Sequence, residues 1–339
     1  MRAVYIAEFG AAEYLEIREV QNPSAPRDTE VLVRVKAAGL NRADIVQRKG
    51  FYPAPEGFPE RILGLEFAGE IAEIGENVRN FKVGARVFGI TAGGAQAEFL
   101  LTEESLLAAI PENLSFVEAA AVPEVFITAY DAAFDQCELR AGETLLIHAV
   151  GSGVGLAALQ LAKAHNIRTI GTSRTADKLA KCAEFGLDCA ILAADDLIEN
   201  RPSEFAAKVR SESASGKGAD VVLDLVGAKY LAANIEALAP RGRLISVGLT
   251  GGAVAEKFNL GAVLAKRARI IGTVLRSRPP AEKARANRVF IEKVLPLLAA
   301  GKVKANIDRI FSIDEVKKAH QYLESNESFG KVILEIEAG

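Results

Sequence analysis

A run of small residues from Val150 to Gly155 is the part of the chain whose composition and spacing most directly indicate chemistry. It follows the apolar run Thr144 to Ala149 and precedes small apolar residues at helical spacing, so it predicts a turn between a strand and a helix. Such a turn lets backbone N–H groups approach a diphosphate, and the positive end of the following helix faces the diphosphate charge. We assign these cofactor-binding positions in the turn: Gly151, Ser152, Gly153, Val154 and Gly155.

The glycine spacing departs from the strict G-x-G-x-x-G fingerprint of dinucleotide-binding turns. An ordinary strand-to-helix turn, whose glycines serve only packing, is therefore an alternative. The sequence around the turn decides between the two interpretations.

The segment after the next apolar run indicates which dinucleotide binds. Rossmann sheets that prefer NAD place Asp or Glu at the end of the second strand, where it binds the ribose 2′-hydroxyl. Here Ser173 and Arg174 occupy that place, and Lys178 lies one turn into the next helix. A hydroxyl and two cations favour the 2′-phosphate of NADPH. Asp177 is the one opposing residue, although a carboxylate is also favourable at a helix start.

Apolar strand patterns alternate with helical patterns through the middle of the chain, which is typical of a parallel doubly wound α/β sheet. We therefore predict a Rossmann domain over residues 123–275. The strand patterns are Thr144 to Ala149, Ile167 to Gly171, Cys189 to Leu192, Ala219 to Gly227 and Arg241 to Gly248.

The first 120 or so residues differ, because short alternating strands such as Glu30 to Lys36 are separated by glycine turns. This pattern predicts a mainly antiparallel β-barrel or sandwich. The chain closes on Lys331 to Ile336, a lone strand that needs a sheet to join. We therefore predict a discontinuous domain of residues 1–122 and 276–339, with the Rossmann domain inserted between its two parts.

Composition excludes several classes of function. The net charge of −3 over 339 residues leaves no basic footprint for nucleic acid or an anionic membrane. No apolar run has the length of a membrane span and the chain opens on a strand pattern, so we expect a cytoplasmic protein. Three scattered cysteines and three scattered histidines indicate neither a disulfide framework nor a metal cluster. His148, at the end of a predicted strand, is expected to have a structural role.

The chain resembles the zeta-crystallin-type quinone oxidoreductases of the medium-chain dehydrogenase/reductase superfamily, and within them the branch that a tumour suppressor induces in mammals. The resemblance covers essentially the whole chain, so the barrel is expected to be GroES-like. It rests on several motifs in order: Leu40 to Asp44, Gly50 to Pro55, Ile62 to Glu66, Ala119 to Thr128 and Leu275 to Arg278. Many members carry glycine in place of Ser152, whose hydroxyl is small enough to be tolerated.

The resemblance also implies the absence of zinc. The zinc alcohol dehydrogenases of this superfamily hold their catalytic zinc with a cysteine and a histidine, at places that carry Asn41 and Leu65 here. An amide and an isobutyl group cannot replace thiolate and imidazole.

By the resemblance, Asn41 and Tyr52 line the acceptor pocket and can donate hydrogen bonds to a quinone oxygen. Alternatively, Asn41 is a structural residue of a turn, and Tyr52 is an aromatic residue in a loop that covers the barrel. Thr128 matches a position at the nicotinamide end of the cofactor. Further residues expected to contact the cofactor are Gly248, Leu275 and Arg276. Whether Arg276 or Arg278 faces the site stays open.

The sequence therefore predicts a zinc-independent NADPH:quinone oxidoreductase, with ortho-quinones as the expected acceptors and a homodimer as the expected assembly. Two alternatives stay open. One is an enoyl-thioester reductase, which would use the same hydride geometry. The other is a non-enzymatic NADPH-binding protein.

Overall fold

The computed structural model describes residues 1–193, 197–256 and 258–336. Strands occur along the whole of this range and are numbered in chain order. They are β1 (Arg2–Ile6), β2 (Leu15–Glu19), β3 (Glu30–Leu40), β4 (Glu66–Ile74), β5 (Arg86–Ile90), β6 (Phe99–Glu103), β7 (Leu107–Ala109), β8 (Thr144–Ile147), β9 (Arg168–Ser173), β10 (Cys189–Leu192), β11 (Ala219–Asp224), β12 (Leu238–Ser246), β13 (Arg269–Gly272), β14 (Ile307–Ser312) and β15 (Lys331–Glu335).

Helices lie mainly in the middle and near the end of the chain. They are α1 (Arg42–Arg48), α2 (Phe116–Ala119), α3 (Pro123–Tyr130), α4 (Gly153–Ala164), α5 (Ala176–Ala183), α6 (Leu197–Asn200), α7 (Pro202–Glu212), α8 (Leu231–Ala237), α9 (Leu260–Lys266), α10 (Pro280–Lys293), α11 (Leu295–Ala299) and α12 (Val316–Glu324). A π-helical turn, Asp131–Gln136, continues α3. Among the described residues, no helix combines the length and the apolar character that crossing a membrane requires.

The chain divides into two compact units, Met1–Ile127 with Leu275–Gly339, and Thr128–Val274. We call the first the catalytic unit and the second the nucleotide unit. The predicted α/β fold class is confirmed, with a Rossmann sheet inserted into a GroES-like domain. The domain limits at 122/123 and 275/276 stay our proposal.

The nucleotide unit is built on a six-stranded parallel sheet with the order β10-β9-β8-β11-β12-β13. Its central strand, β8, is completely buried, which explains why Thr144 to Ile147 reads as a continuous apolar run. From β8 the chain winds outward through β9 to β10, and then crosses to the other side to form β11, β12 and β13. Doubly wound sheets bind their ligands where the winding reverses, at the carboxyl ends of the strands.

The sheet of the catalytic unit is mainly antiparallel, in the order β14-β15-β3-β4-β5-β7, with β6 also paired to β3. The predicted joining of the last strand is confirmed, because β15 pairs antiparallel with residues 37–40 of β3. The alternation expected in β3 holds for Val31, Val33 and Val35, which are buried, and for Arg34, which is exposed. Leu32, expected on the opposite face, is also buried, so both faces of β3 are covered at that point.

The helical region after β13 is divided into two helices, because α10 ends at Lys293 and α11 begins at Leu295. Pro296 lies at the start of α11, where a missing backbone N–H is tolerated. In the interior of one continuous helix, the same proline would remove a backbone hydrogen bond.

Candidate active site and nucleotide-binding edge

Most of the predicted cofactor-binding residues lie at one edge of the parallel sheet. The turn after β8, the segment after β9 and Gly248 after β12 all follow the carboxyl ends of strands that lie in the same sheet. This edge is where a doubly wound sheet binds a dinucleotide.

The turn between β8 and α4 brings the start of the helix close to the end of the strand. Ala149 has a φ of 49°, a left-handed conformation that reverses the chain between strand and helix. A Cβ atom on Gly155 would lie 2.6 Å from the Ala149 carbonyl oxygen, so only glycine lets the helix start this close to the strand. The Ser152 hydroxyl accepts a hydrogen bond from the Gly155 N–H at 3.2 Å. The N–H groups of Gly153 and Val154 lie in the first turn of α4. Backbone N–H groups in the first turn have no acceptor within the helix.

The segment after β9 presents positive charge. Arg174 is exposed, Lys178 is half-buried in α5, and Ser173 is buried at the end of β9. The Ser173 hydroxyl accepts a hydrogen bond from the Thr175 N–H at 3.3 Å. Asp177, the residue that opposes a phosphate, pairs with Lys181 one turn along α5 at 2.9 Å. That partner directs the carboxylate along the helix and offsets its charge.

His148 has the structural role that its position indicated. One ring nitrogen lies 2.8 Å from the Thr172 hydroxyl and the other lies 2.6 Å from the Asn234 side-chain oxygen. The ring is completely buried, and burial lowers its pKa. Asn234 in turn donates to Asp224, which accepts the N–H groups that follow β11. This network holds the ends of three neighbouring strands in register.

The remaining predicted cofactor contacts are placed as follows. Gly248 follows β12, and a Cβ atom there would lie 2.8 Å from the Leu225 carbonyl oxygen. Thr128 is half-buried in α3, and Leu275 is buried in the loop after β13. A helix-interior threonine was the alternative for Thr128, and its place in α3 agrees with that alternative as well.

In the catalytic unit, Asn41 lies at the start of α1 between two buried charges. Its amide nitrogen donates to Glu66 Oε1 at 2.9 Å, and its amide oxygen accepts from Lys331 Nζ at 2.8 Å. Lys331 and Glu66 also pair directly at 2.6 Å. The amide orientation is therefore set by the charges, with the nitrogen toward the carboxylate and the oxygen toward the ammonium group. The second amide hydrogen faces the Gly39 carbonyl oxygen at 3.4 Å, which is a long contact.

Asp44 stabilises the start of α1. Its carboxylate accepts the Asn41 N–H at 2.7 Å and the Gly64 N–H at 3.0 Å. The side chain is completely buried, and burial raises the pKa of Asp44 to about 6, although the two N–H groups oppose that shift.

Tyr52 and Arg276 form a second pair in the catalytic unit. The Arg276 guanidinium carbon lies 4.8 Å from the centre of the Tyr52 ring. Its three nitrogens donate to the Tyr52 carbonyl oxygen, the Ala92 carbonyl oxygen and Gln47 Oε1. Arg276 is buried and therefore positions Tyr52, while its predicted cofactor contact stays a prediction. The Tyr52 hydroxyl makes no hydrogen bond within the described ranges, and its side chain is half-buried.

Glu124, at the start of α3, is a further acid of this unit. Its backbone N–H donates to Glu66 Oε2 at 2.9 Å. Burial first, and the neighbouring Glu66 second, raise the pKa of the Glu124 carboxyl to about 8. The sequence-based assignment missed Glu124, and also missed the roles of Glu66 and Lys331. One signal for Lys331 was available: it is a charged residue at the start of a closing strand whose next three residues are apolar.

The described part of the chain contains no group of three or more His, Cys, Asp or Glu side chains arranged for a metal ion. Asn41 is committed to Glu66 and Lys331, and Leu65 is a buried hydrocarbon side chain. Neither residue has the donor atom that zinc requires.

Comparisons with known families match both units. Residues 27–112 match the family described as alcohol dehydrogenase GroES-like domain, and residues 153–291 match the family described as zinc-binding dehydrogenase. The chain is 34% identical to a quinone oxidoreductase of Pseudomonas aeruginosa, over 98% of this chain and 99% of that protein. It is 31% identical to the quinone oxidoreductase of Rattus norvegicus, over 98% and 97% respectively.

Solved structures of similar proteins carry several activities. Escherichia coli quinone oxidoreductase complexed with NADPH superposes with a TM-score of 0.86 at 28% identity, covering 99% of this chain and 100% of that chain. An NAD-dependent alcohol dehydrogenase has a TM-score of 0.86 at 31% identity, with 99% and 100% covered. The CurK enoyl reductase has a TM-score of 0.84 at 26% identity, with 99% of each chain covered.

Proposed function

Because this chain belongs to the quinone oxidoreductase family of the medium-chain dehydrogenase/reductase superfamily, we propose that it transfers hydride from NADPH to a quinone without zinc. One observation carries this proposal. A full-length similarity to quinone oxidoreductases coincides with an amide at Asn41 and an isobutyl group at Leu65, where the zinc alcohol dehydrogenases have cysteine and histidine.

The residues at the edge of the nucleotide unit fit a dinucleotide phosphate. The first turn of α4 offers N–H groups to a diphosphate, and Arg174 and Lys178 offer charge to a 2′-phosphate. Asp177 opposes that phosphate weakly, because Lys181 already offsets its charge. NADPH, when bound, supplies the hydride.

The residues proposed for the acceptor are Asn41 and Tyr52. The Tyr52 hydroxyl has no partner within the described ranges, so it is available to donate to a quinone oxygen. The Asn41 amide is oriented by Glu66 and Lys331, and it presents its second hydrogen on the side of a weak contact. A hydroquinone anion is delocalised and makes small demands on proton transfer, which favours a quinone over an enoyl thioester as the acceptor.

The test is to follow NADPH oxidation in the presence of ortho-quinones, para-quinones and a crotonyl thioester. We expect the greatest kcat/KM with an ortho-quinone. Faster turnover of the thioester would replace the proposed acceptor class. Tight NADPH binding without turnover of any acceptor would favour a non-enzymatic role.

An enoyl-thioester reductase is the second candidate, and the similarity to the CurK enoyl reductase favours it. That reaction generates a carbanion that must be protonated at carbon, and therefore needs an acid of matched pKa. No cysteine or histidine lies in the predicted pocket motifs, so this reaction would have to use the carboxyl group of Glu124, whose pKa is raised to about 8.

We propose a homodimer in which the β13 edges of two copies pair. β13 ends the parallel sheet, so one side of it carries unpaired backbone groups. Ile270 on that strand and Leu264 on α9 are exposed apolar side chains of the same unit. Sedimentation that shows a monomer at all concentrations would contradict this assembly. A cytoplasmic location stays a prediction.

A further inference from the structure

The Glu124 carboxyl group differs from its two acidic neighbours in its hydrogen bonds. Glu66 accepts from Asn41, from the Glu124 backbone and from Lys331, and Asp44 accepts two backbone N–H groups. Within the described ranges, the Glu124 carboxyl oxygens have no hydrogen-bond donor. Glu66 and Asp44 are completely buried, whereas Glu124 is half-buried. Glu124 is therefore the most exposed acid of this cluster.

The charged groups around Glu124 favour its neutral form. Glu66 from β4 and Asp44 from α1 repel a third negative charge, and Glu66 has the larger effect. Lys331 from β15 and Arg276 from the loop after β13 attract it. Lys331, however, is already paired with Glu66, and Arg276 donates to neutral oxygens. Burial is the largest cause of the shift and the repulsion adds to it, so the pKa of Glu124 rises to about 8 and the group carries a proton at pH 7.

We propose that Glu124 is the acid that protonates the oxygen of the reduced quinone. This inference rests on the proposed function. Hydride addition brings two electrons and one proton to the quinone and leaves a hydroquinone monoanion. The O–H bond of Glu124 breaks, its proton forms an O–H bond on the anionic oxygen, and the electron pair stays on the Glu124 carboxylate. Water returns a proton to Glu124 before the next turnover.

A neutral acid suits this place in the cluster. A developing oxyanion beside Glu66 and Asp44 would meet repulsion from both carboxylates, and transfer of the Glu124 proton removes the oxyanion charge. Glu66 and Asp44 then repel the negative charge left on the Glu124 carboxylate. This repulsion promotes reprotonation of Glu124.

The kinetic test uses Glu124→Gln, with Glu112→Gln as the control because Glu112 is an exposed acid of the same unit. For the wild-type protein, we expect kcat/KM with a quinone to fall as the pH rises through about 8, because Glu124 loses its proton there. Glu124→Gln should abolish that fall and lower kcat/KM at pH 7 by about tenfold. This is less than the roughly 10²–10⁴-fold effect of general acids, because a hydroquinone anion is already stabilised. Glu112→Gln should behave as wild type.

A measurement without turnover checks the proton directly. Infrared titration of the protein without cofactor should show a protonated-carboxyl band that disappears near pH 8, present in wild type and Glu112→Gln and missing in Glu124→Gln. Glu124→Asp keeps an acid and should keep the alkaline fall in rate, which separates proton transfer from loss of folding. An unchanged rate and pH profile in Glu124→Gln overturns this inference alone. Absence of quinone turnover in the wild type overturns the proposed function with it.

Discussion

The Lys331 ammonium nitrogen lies 2.6 Å from Glu66 Oε1, and the two side chains are 4% and 0% exposed. Each charge would be costly to bury alone, because neither reaches water. The pair also sets the orientation of the Asn41 amide, so a contact between a closing strand and an early strand determines the geometry of a candidate substrate-binding residue.

Replacing Lys331 with methionine should destabilise the protein strongly. Removing one partner of a buried pair leaves the Glu66 charge uncompensated, at a cost of about 3–5 kcal/mol. Chemical unfolding of the variant measures this free energy. Lys318→Met is the matched control, because Lys318 pairs with Glu315 at the surface and its loss should leave the unfolding midpoint nearly unchanged. Equal midpoints for the two variants would show that the buried pair contributes little.

Arg174→Ala combined with Lys178→Ala should remove the preference for NADPH over NADH. Each charge-assisted hydrogen bond to the 2′-phosphate contributes roughly 1.5–3 kcal/mol, so we expect the wild type to prefer NADPH at least about tenfold. Fluorescence titration with both cofactors measures the preference. Lys181→Ala on the same helix is the control, because Lys181 is paired with Asp177. Equal affinity of the wild type for both cofactors would refute the assignment.

Tyr52→Phe should lower kcat/KM for ortho-quinones by the equivalent of roughly 1–3 kcal/mol and leave NADPH affinity nearly unchanged. The change removes a hydroxyl that makes no hydrogen bond within the described ranges, so the fold loses no contact there. Tyr14→Phe, an exposed tyrosine of the same unit, is the control.

Asn41→Ala should lower kcat/KM in the same direction as Tyr52→Phe. It also removes the bonds to Glu66 and Lys331, so it should lower the unfolding midpoint as well. Steady-state kinetics and thermal unfolding of the same preparation separate the two effects. Unaltered quinone kinetics in both variants would mean that the acceptor binds elsewhere.

Zinc should be dispensable. After dialysis against a chelator, elemental analysis should find no stoichiometric zinc, and the rate of quinone reduction should be intact, because Asn41 and Leu65 offer no thiolate or imidazole. One zinc ion per chain whose removal abolishes activity would exclude the mechanism that we propose.

His320 should make the protein sensitive to acid. Its ring is completely buried in α12, neither ring nitrogen has a partner within the described ranges, and burial followed by the nearby Arg48 lowers its pKa to about 3. The unfolded chain therefore binds a proton from about pH 6.5 downward while the folded chain resists it, so stability falls between pH 6.5 and pH 3.

The measurement is the difference in unfolding free energy between wild type and His320→Leu across this pH range. The difference isolates His320, because the raised pKa values of Asp44 and Glu124 act in the opposite direction and are common to both proteins. His165→Leu, at a half-buried histidine, is the control. An equal loss of unfolding free energy in wild type and His320→Leu between pH 6.5 and pH 3 would contradict the acid sensitivity that we attribute to His320.

The sequence by itself determined the elements of the nucleotide unit. The apolar run of β8, the small-residue turn and the start of α4 are local patterns, because strand burial, glycine geometry and helix periodicity depend on neighbouring residues. The absence of a carboxylate at the end of β9 and the missing zinc ligands at Asn41 and Leu65 are equally local, since they concern the identity of single residues.

Only the tertiary structure decided how the candidate acceptor-site residues are held. Asn41 and Lys331 are separated by 290 positions, and Arg276 reaches Gln47 across 229 positions. No periodicity links such residues, because their contacts depend on how β15 pairs with β3 and on where the chain re-enters the catalytic unit after β13. The raised pKa of Glu124 has the same origin, since burial and the charge of Glu66 arise only when distant segments pack together.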